Sequence, residues 1–103
     1  MSEAQIIKTF KALSVTSRIQ IIKLISKRKL CVNVLAVRLG ITPSAVSQHL
    51  KILKKCHLVH AECYGSITHY KLNKEIMRDF SVAVGNLFTG SQEQWKQSLK
   101  SKT

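Results

Sequence analysis

Apolar residues recur along this chain with two different periods. Near the N-terminus they fall at Ile6, Phe10 and Leu13, an i, i+4, i+7 stripe that predicts an amphipathic helix. Ser2 and Gln5 have capping-box spacing at its start. A second helix is expected from about Thr16 to Lys27. Its apolar set is Ile19, Ile22 and Ile25, widened by Ile21 and Leu24, and the cations Lys27, Arg28 and Lys29 suit the negative end of its dipole. Leu30, Cys31 and Val32 predict a brief strand. Asn33 is then placed to cap a third helix, VLAVRL, which Gly40 ends. Thr42 is placed to cap a fourth, with Pro43 at the first helical position, where its missing N–H does no harm.

After Lys55 the period becomes two. LVHAECYGSITHYKL alternates around Gly65 and Ser66, which predicts a β-hairpin with a two-residue turn. That turn sets Val59 opposite Leu72, Ala61 opposite Tyr70, and Glu62 opposite His69. The first two pairs are expected on the buried face and the polar pair outside. Asn73 then caps a last helix, KEIMRDFSVAVGNLF. One stripe holds Ile76, Phe80, Ala83 and Leu87; a second beside it holds Met77, Val84 and Phe88. A helix apolar over so much of its surface needs two partners, the domain core and a second subunit. From Thr89 the chain turns polar. Residues 1–90 are expected to form the domain and 91–103 a polar tail, in which Trp95 and Leu99 have the spacing of one further helical turn. No internal repeat or low-complexity segment is present.

The length of 103 residues fits one domain, small enough that a partner subunit often adds stability. No apolar run spans a bilayer, and MSEAQIIKTF lacks the pattern of a signal peptide, so a cytoplasmic protein with no membrane partner is expected. Charge changes the picture more. There are 17 Lys and Arg against 5 Asp and Glu, a formal +12. No acid occurs between Glu3 and Glu62, a stretch that holds eleven Lys and Arg. Self-repulsion on this scale calls for a polyanion: nucleic acid first, an anionic membrane surface second. The three cysteines, an odd count, argue against a disulfide framework. The acids are scattered and no nucleophile–base spacing occurs, so an enzyme is not expected.

The segment TPSAVSQHLKILKK, residues 42 to 55, concentrates the chemistry. Val46, Leu50 and Leu53 form its buried line. Ser44, Ser47, Gln48, Lys51 and Lys55 form the opposite face. Small hydroxyls let a helix sit deep in a major groove, Gln48 can pair with an adenine edge, and lysines reach phosphates. Two helices joined through Gly40, Ile41 and Thr42 have helix-turn-helix dimensions.

Three segments, ALSVTSRIQIIKLI, LAVRLGITPSAVSQHLKILKKCHLV and GSITHYKL, resemble the ArsR/SmtB family of winged-helix repressors from about Phe10 to Leu72. The resemblance implies a mainly α fold with a small β-hairpin, a winged helix-turn-helix with a helical dimer interface made by the first and last helices. It implies a homodimer bound to double-stranded operator DNA. Ser44, Ser47, Gln48 and His49 would belong to the DNA-reading helix, Thr42 would cap it, and Gly65 would be the wing tip. His49 equally fits a packing role at the DNA edge. A basic nucleoid or RNA-binding module with little sequence preference is the alternative reading.

The family's inducer sites are matched only in part. The last helix carries no His, so a zinc site of Asp, His and Glu cannot assemble there. Cys31 matches the first cysteine of a Cys-x-Cys arsenic site, with Asn33 in place of the second. Cys56 matches a cysteine near the end of the reading helix, with Ile52 in place of its companion. Soft metals want two or three thiolates. Cys31 and Cys56 are therefore candidate sensor thiols, for a thiophilic metal or metalloid or for a redox signal, and Cys31 fits core packing as well. No cofactor is certain and the metal is unknown. Cys56, His57, His60 and Cys63 do not make a compact zinc site: the two cysteines stand up to about 24 Å apart in an extended chain. The wing tip, ECYGS, lacks the arginines common in the family.

Overall fold

A computed structural model describes residues 1–89; the tail expected over 91–103, with Trp95 and Leu99, lies outside them. Five helices and three strands follow in the order α1 (Glu3–Leu13), α2 (Thr16–Ile25), β1 (Leu30–Cys31), α3 (Val32–Leu39), α4 (Pro43–Lys55), β2 (Val59–Tyr64), β3 (Ile67–Leu72) and α5 (Lys74–Thr89). The fold is a winged helix-turn-helix: mostly helical, with one small antiparallel sheet. None of the described helices is long and apolar enough to cross a membrane.

The helix ends are set by local chemistry. The Ser2 hydroxyl accepts from Gln5 N–H at 3.2 Å, and the Gln5 side chain accepts from Ser2 N–H at 2.7 Å, a complete capping box. Gly40 closes α3 at φ 67°, the left-handed conformation that a glycine adopts at least cost. Helix α3 begins two residues earlier than expected, at Val32 rather than Val34. Its N-cap is Cys31, so Asn33 lies inside the first turn rather than capping it. The end of α4 is a Schellman arrangement: His57 N–H donates to the Lys54 carbonyl at 2.9 Å and Leu58 N–H to the Leu53 carbonyl at 3.1 Å. The left-handed residue there is His57, at φ 60°, where glycine is usual.

The core gathers Ala12, Ile21, Ile25, Leu35, Ala36, Val46, Leu50, Leu53, Leu58 and Val59. Each large side chain fully buried there contributes about 1.5–3 kcal/mol. In α2 the inward line is Ile21 and Ile25, with Ile22 and Leu24 half-buried and Ile19 exposed. The expected Ile19–Ile22–Ile25 line is thus rotated: α2 must meet α1, α3, α4 and β3 together, and that contact selects the Ile21 side.

The hairpin has the expected register, Val59↔Leu72, Ala61↔Tyr70 and Glu62↔His69, with Gly65 at φ 63° in the turn. A third strand completes the sheet. Leu30 pairs with Tyr70 and Cys31 with His69, giving the order β1-β3-β2. The expected faces are corrected in part. Val59 is buried and Tyr70 and Leu72 are half-buried, but Ala61 is exposed and Glu62 and His69 are half-buried. Ala61 lies on the edge strand β2, whereas its partner Tyr70, on the central strand β3, still packs against the core.

Candidate nucleic-acid interface

Helix α4 presents two unlike faces. Val46, Leu50 and Leu53 are at most 1% exposed and hold it on the core. Ser44, Ser47, Gln48, Lys51 and Lys55 are all exposed. The Thr42 hydroxyl accepts from Ala45 N–H at 3.1 Å, and Pro43 occupies the first turn. Helix α3, Gly40 and Ile41 support this helix from behind. The positive end of the helix dipole at its start and the serines beside it suit phosphate and base edges. No acid lies on α2, α3 or α4.

His49 is half-buried, on the shoulder between the two faces. Its Nδ1 accepts from Nε of Arg18, on α2, at 3.1 Å. Burial first, and the Arg18 charge second, push the His49 pKa below its ordinary value. Arg18 also donates from Nη1 to the Ala12 carbonyl at 3.2 Å, so one guanidinium ties α1, α2 and α4. Sequence reading missed Arg18. The signal that could have found it is a cation set beside the most apolar run of α2.

The wing carries cations that its tip sequence lacks. Gly65 and Ser66 are exposed, as are Tyr64 and Ile67 beside them. Lys29, from the segment before β1, lies 4.2 Å from the Tyr64 ring centroid and donates to the Tyr64 hydroxyl at 2.8 Å. That hydroxyl in turn donates to Glu62 at 2.8 Å. Lys71, Tyr64 and Lys29 all bind the Glu62 carboxylate, and these hydrogen bonds, Lys71 first, hold its pKa down to about 2. Glu62 is therefore spent on lysines rather than on His69, which stacks edge-on against Tyr64 at 5.7 Å. Sequence reading missed Lys29 and Lys71 as wing residues because the pairs form across strands.

The thiols are kept apart. Cys31 is half-buried at the start of α3, Cys56 is half-buried at the end of α4, and Cys63 is exposed on β2. Cys56 Sγ reaches the Lys8 carbonyl of α1 at 3.8 Å, and Cys63 lies 3.5 Å from the Thr68 hydroxyl. Among the described residues, no three His, Cys, Asp or Glu side chains stand together so as to hold a metal ion.

A family model described as "Bacterial regulatory protein, arsR family" matches residues 16–61, the run from α2 into β2. The chain is 33% identical over 84 residues to the HTH-type transcriptional regulator YbzH of Bacillus subtilis, covering 67% of this chain and 84% of that one. This chain belongs to the arsR family. The family is one of DNA-binding transcriptional regulators, not enzymes. Other relatives agree. The chain is 30% identical over 77 residues to the regulator KmtR of Mycobacterium tuberculosis, covering 75% of this chain and 59% of that one. It is 39% identical over 67 residues to the arsenical resistance operon repressor of Bacillus subtilis, covering 64% of each chain. It thus spans under two thirds of the length of these two relatives.

Among solved structures, an ArsR-like regulator from Rhodococcus superposes with a TM-score of 0.80 at 22% identity, covering 95% of this chain and 89% of that one. A homodimeric winged helix-turn-helix domain from Mycobacterium bovis superposes at 0.69 with 24% identity, covering 86% and 89%. Both support the fold of this arsR-family chain.

Proposed function

We propose that this arsR-family regulator is a homodimeric repressor that reads a pseudo-palindromic operator with α4. The observation that carries this reading is the division of α4 into a fully buried line and a wholly exposed face of Ser44, Ser47, Gln48, Lys51 and Lys55. Gln48 and Ser47 contact base edges; Ser44 and the start of α4, capped by Thr42, meet a phosphate; Lys51 and Lys55 bind phosphates further along. His49 stands at the groove wall, and the wing approaches through Gly65 with Lys29 beside it. Helices α1 and α5 form the dimer interface. The homodimeric relative supports that assembly. So does the exposure of Ile7, Phe10, Val82, Leu87 and Phe88 on these two helices.

Repression is relieved by an inducer that binds the DNA-incompetent form more tightly. Cys31 and Cys56 are the candidate contacts, for a thiophilic metal or metalloid or for a thiol-reactive redox signal. The similarity to an arsenical repressor supports the thiophilic class.

The test compares binding to the protein's own promoter and to random duplex at physiological salt. A sequence-specific regulator prefers its promoter by about a thousandfold or more. Gln48→Ala should cost about 1–3 kcal/mol of that discrimination. Lys51→Ala should weaken both duplexes and flatten the salt slope by about one unit. Equal affinity for the two duplexes would favour a nucleoid or RNA-binding module instead, and an unchanged ratio in Gln48→Ala would remove α4 from the groove.

A further inference from the structure

A guanidinium has only donors and keeps its proton at every physiological pH. Nδ1 of His49 faces such a donor, Nε of Arg18, at 3.1 Å, and so carries no proton of its own. The imidazole is then neutral with its single proton on Nε2. Burial and the Arg18 charge both oppose a second proton on the ring, which agrees with this arrangement. Arg18 is itself held by its second bond, to the Ala12 carbonyl in the last turn of α1. The ring of His49 is thus anchored from behind on a fixed support, with one donor left over. His49 lies next to the exposed Gln48 and beside the buried Val46 and Leu50, at the edge of the reading face. A residue at that edge meets the wall of a groove, where the groups are phosphate oxygens, and these only accept.

We propose that Arg18 is a positioning residue for DNA binding: it holds His49 in one orientation and one tautomer, so that His49 Nε2–H donates to a backbone phosphate beside the groove that α4 enters. The inference rests on the placement of α4 given above. It adds a residue that never touches base edges and a contact that is independent of sequence. Random duplex is therefore a sufficient probe.

Two measurements test it. In the free protein, nitrogen-15 spectra of the imidazole should show His49 Nδ1 unprotonated, with a through-bond coupling to Arg18 Nε. A proton on Nδ1 would overturn the proposal. On random duplex, His49→Asn, which puts its amide near Nδ1 and leaves the Nε2 place empty, should lose about tenfold in affinity, the size of one hydrogen bond to a charged group. His49→Gln, which keeps an N–H at the Nε2 place, should lose only about twofold to threefold. Arg18→Gln should lose affinity in the wild-type background and little more in His49→Asn, with circular dichroism confirming the fold. Equal losses for the Asn and Gln variants would overturn the phosphate contact without any appeal to Arg18. Lys51→Ala separates the two readings. If it weakens random-duplex binding while neither His49 variant does, this inference fails and α4 still binds DNA. If it too has no effect, the placement of α4 fails.

Discussion

Asn73 donates its side-chain amide to the carbonyl of His57 at 2.8 Å while its side-chain oxygen accepts from Ile76 N–H at 3.2 Å. One residue thus caps α5 and ties it to the end of α4. It joins the helix proposed to hold the dimer to the helix proposed to read DNA. Asn73→Ala should destabilise the protein by about 1–2 kcal/mol, from the lost cap and the freed carbonyl. His57→Gly should act in the opposite sense, because it relieves a left-handed backbone at φ 60°. A gain of about 0.5–1 kcal/mol is expected. Denaturant melts of both variants measure this. Stabilisation by Asn73→Ala would show that the junction is strained rather than held.

Acid should unfold the protein partly through Glu62. Its folded pKa is depressed to about 2, first by Lys71 and then by Tyr64, from an ordinary 4.5. The folded state therefore binds fewer protons than the unfolded state between these values. The contribution is fully present above pH 4.5 and is lost as pH falls towards 2. The half-buried carboxylate still faces solvent, which screens it, so the effect is modest. The stability gap between wild type and Glu62→Gln should be constant above about pH 5 and close at low pH. A gap that widens on acidification would contradict the sign.

Sedimentation at micromolar concentration should give twice the 11.6 kDa chain mass. The reason is the apolar surface of α5, where Val82 is 60% exposed and Phe88 71% in the single chain. Val82→Glu with Phe88→Glu should return the protein to the monomer mass, because two carboxylates cannot be buried unpaired. A wild type found only at 11.6 kDa would end the dimer proposal.

An inducer acting on this protein should act through Cys31 or Cys56. The first caps α3 and the second caps α4 against α1, so a bond formed at either sulfur changes packing at the end of a helix-turn-helix element. Cadmium, arsenite and a disulfide or persulfide donor should release DNA from the wild type. Cys31→Ser or Cys56→Ser should blunt that release. If both single variants and the double variant respond as the wild type does, these thiols are not the sensor; a wild type deaf to all three agents would make them packing residues.

Much of this protein could be read from its chain because much of it is decided within a few residues. Ser2 with Gln5, Thr42 with Pro43, Gly40, Asn73 with Ile76 and the turn at Gly65 each satisfy backbone groups three or four positions away, so their spacing alone specifies them. Alternation around a two-residue turn fixed the hairpin register for the same reason, and the two faces of α4 followed from one helical period. What depended on distant partners was decided only by the tertiary structure. Which side of α2 turns inward was set by four neighbouring elements at once. The exposure of Ala61 was set by its place on the edge strand β2, beside a central strand whose Tyr70 packs on the core. Asn33 lost the cap to Cys31 because β1 pairs with β3 through Leu30 and Cys31, and α3 starts directly after it. Arg18 meets His49 across 31 residues, and Lys29 meets Glu62 across 33. Side chains so far apart in sequence become neighbours only when packing brings their elements together, and no local pattern records which of many cations and acceptors will then face one another.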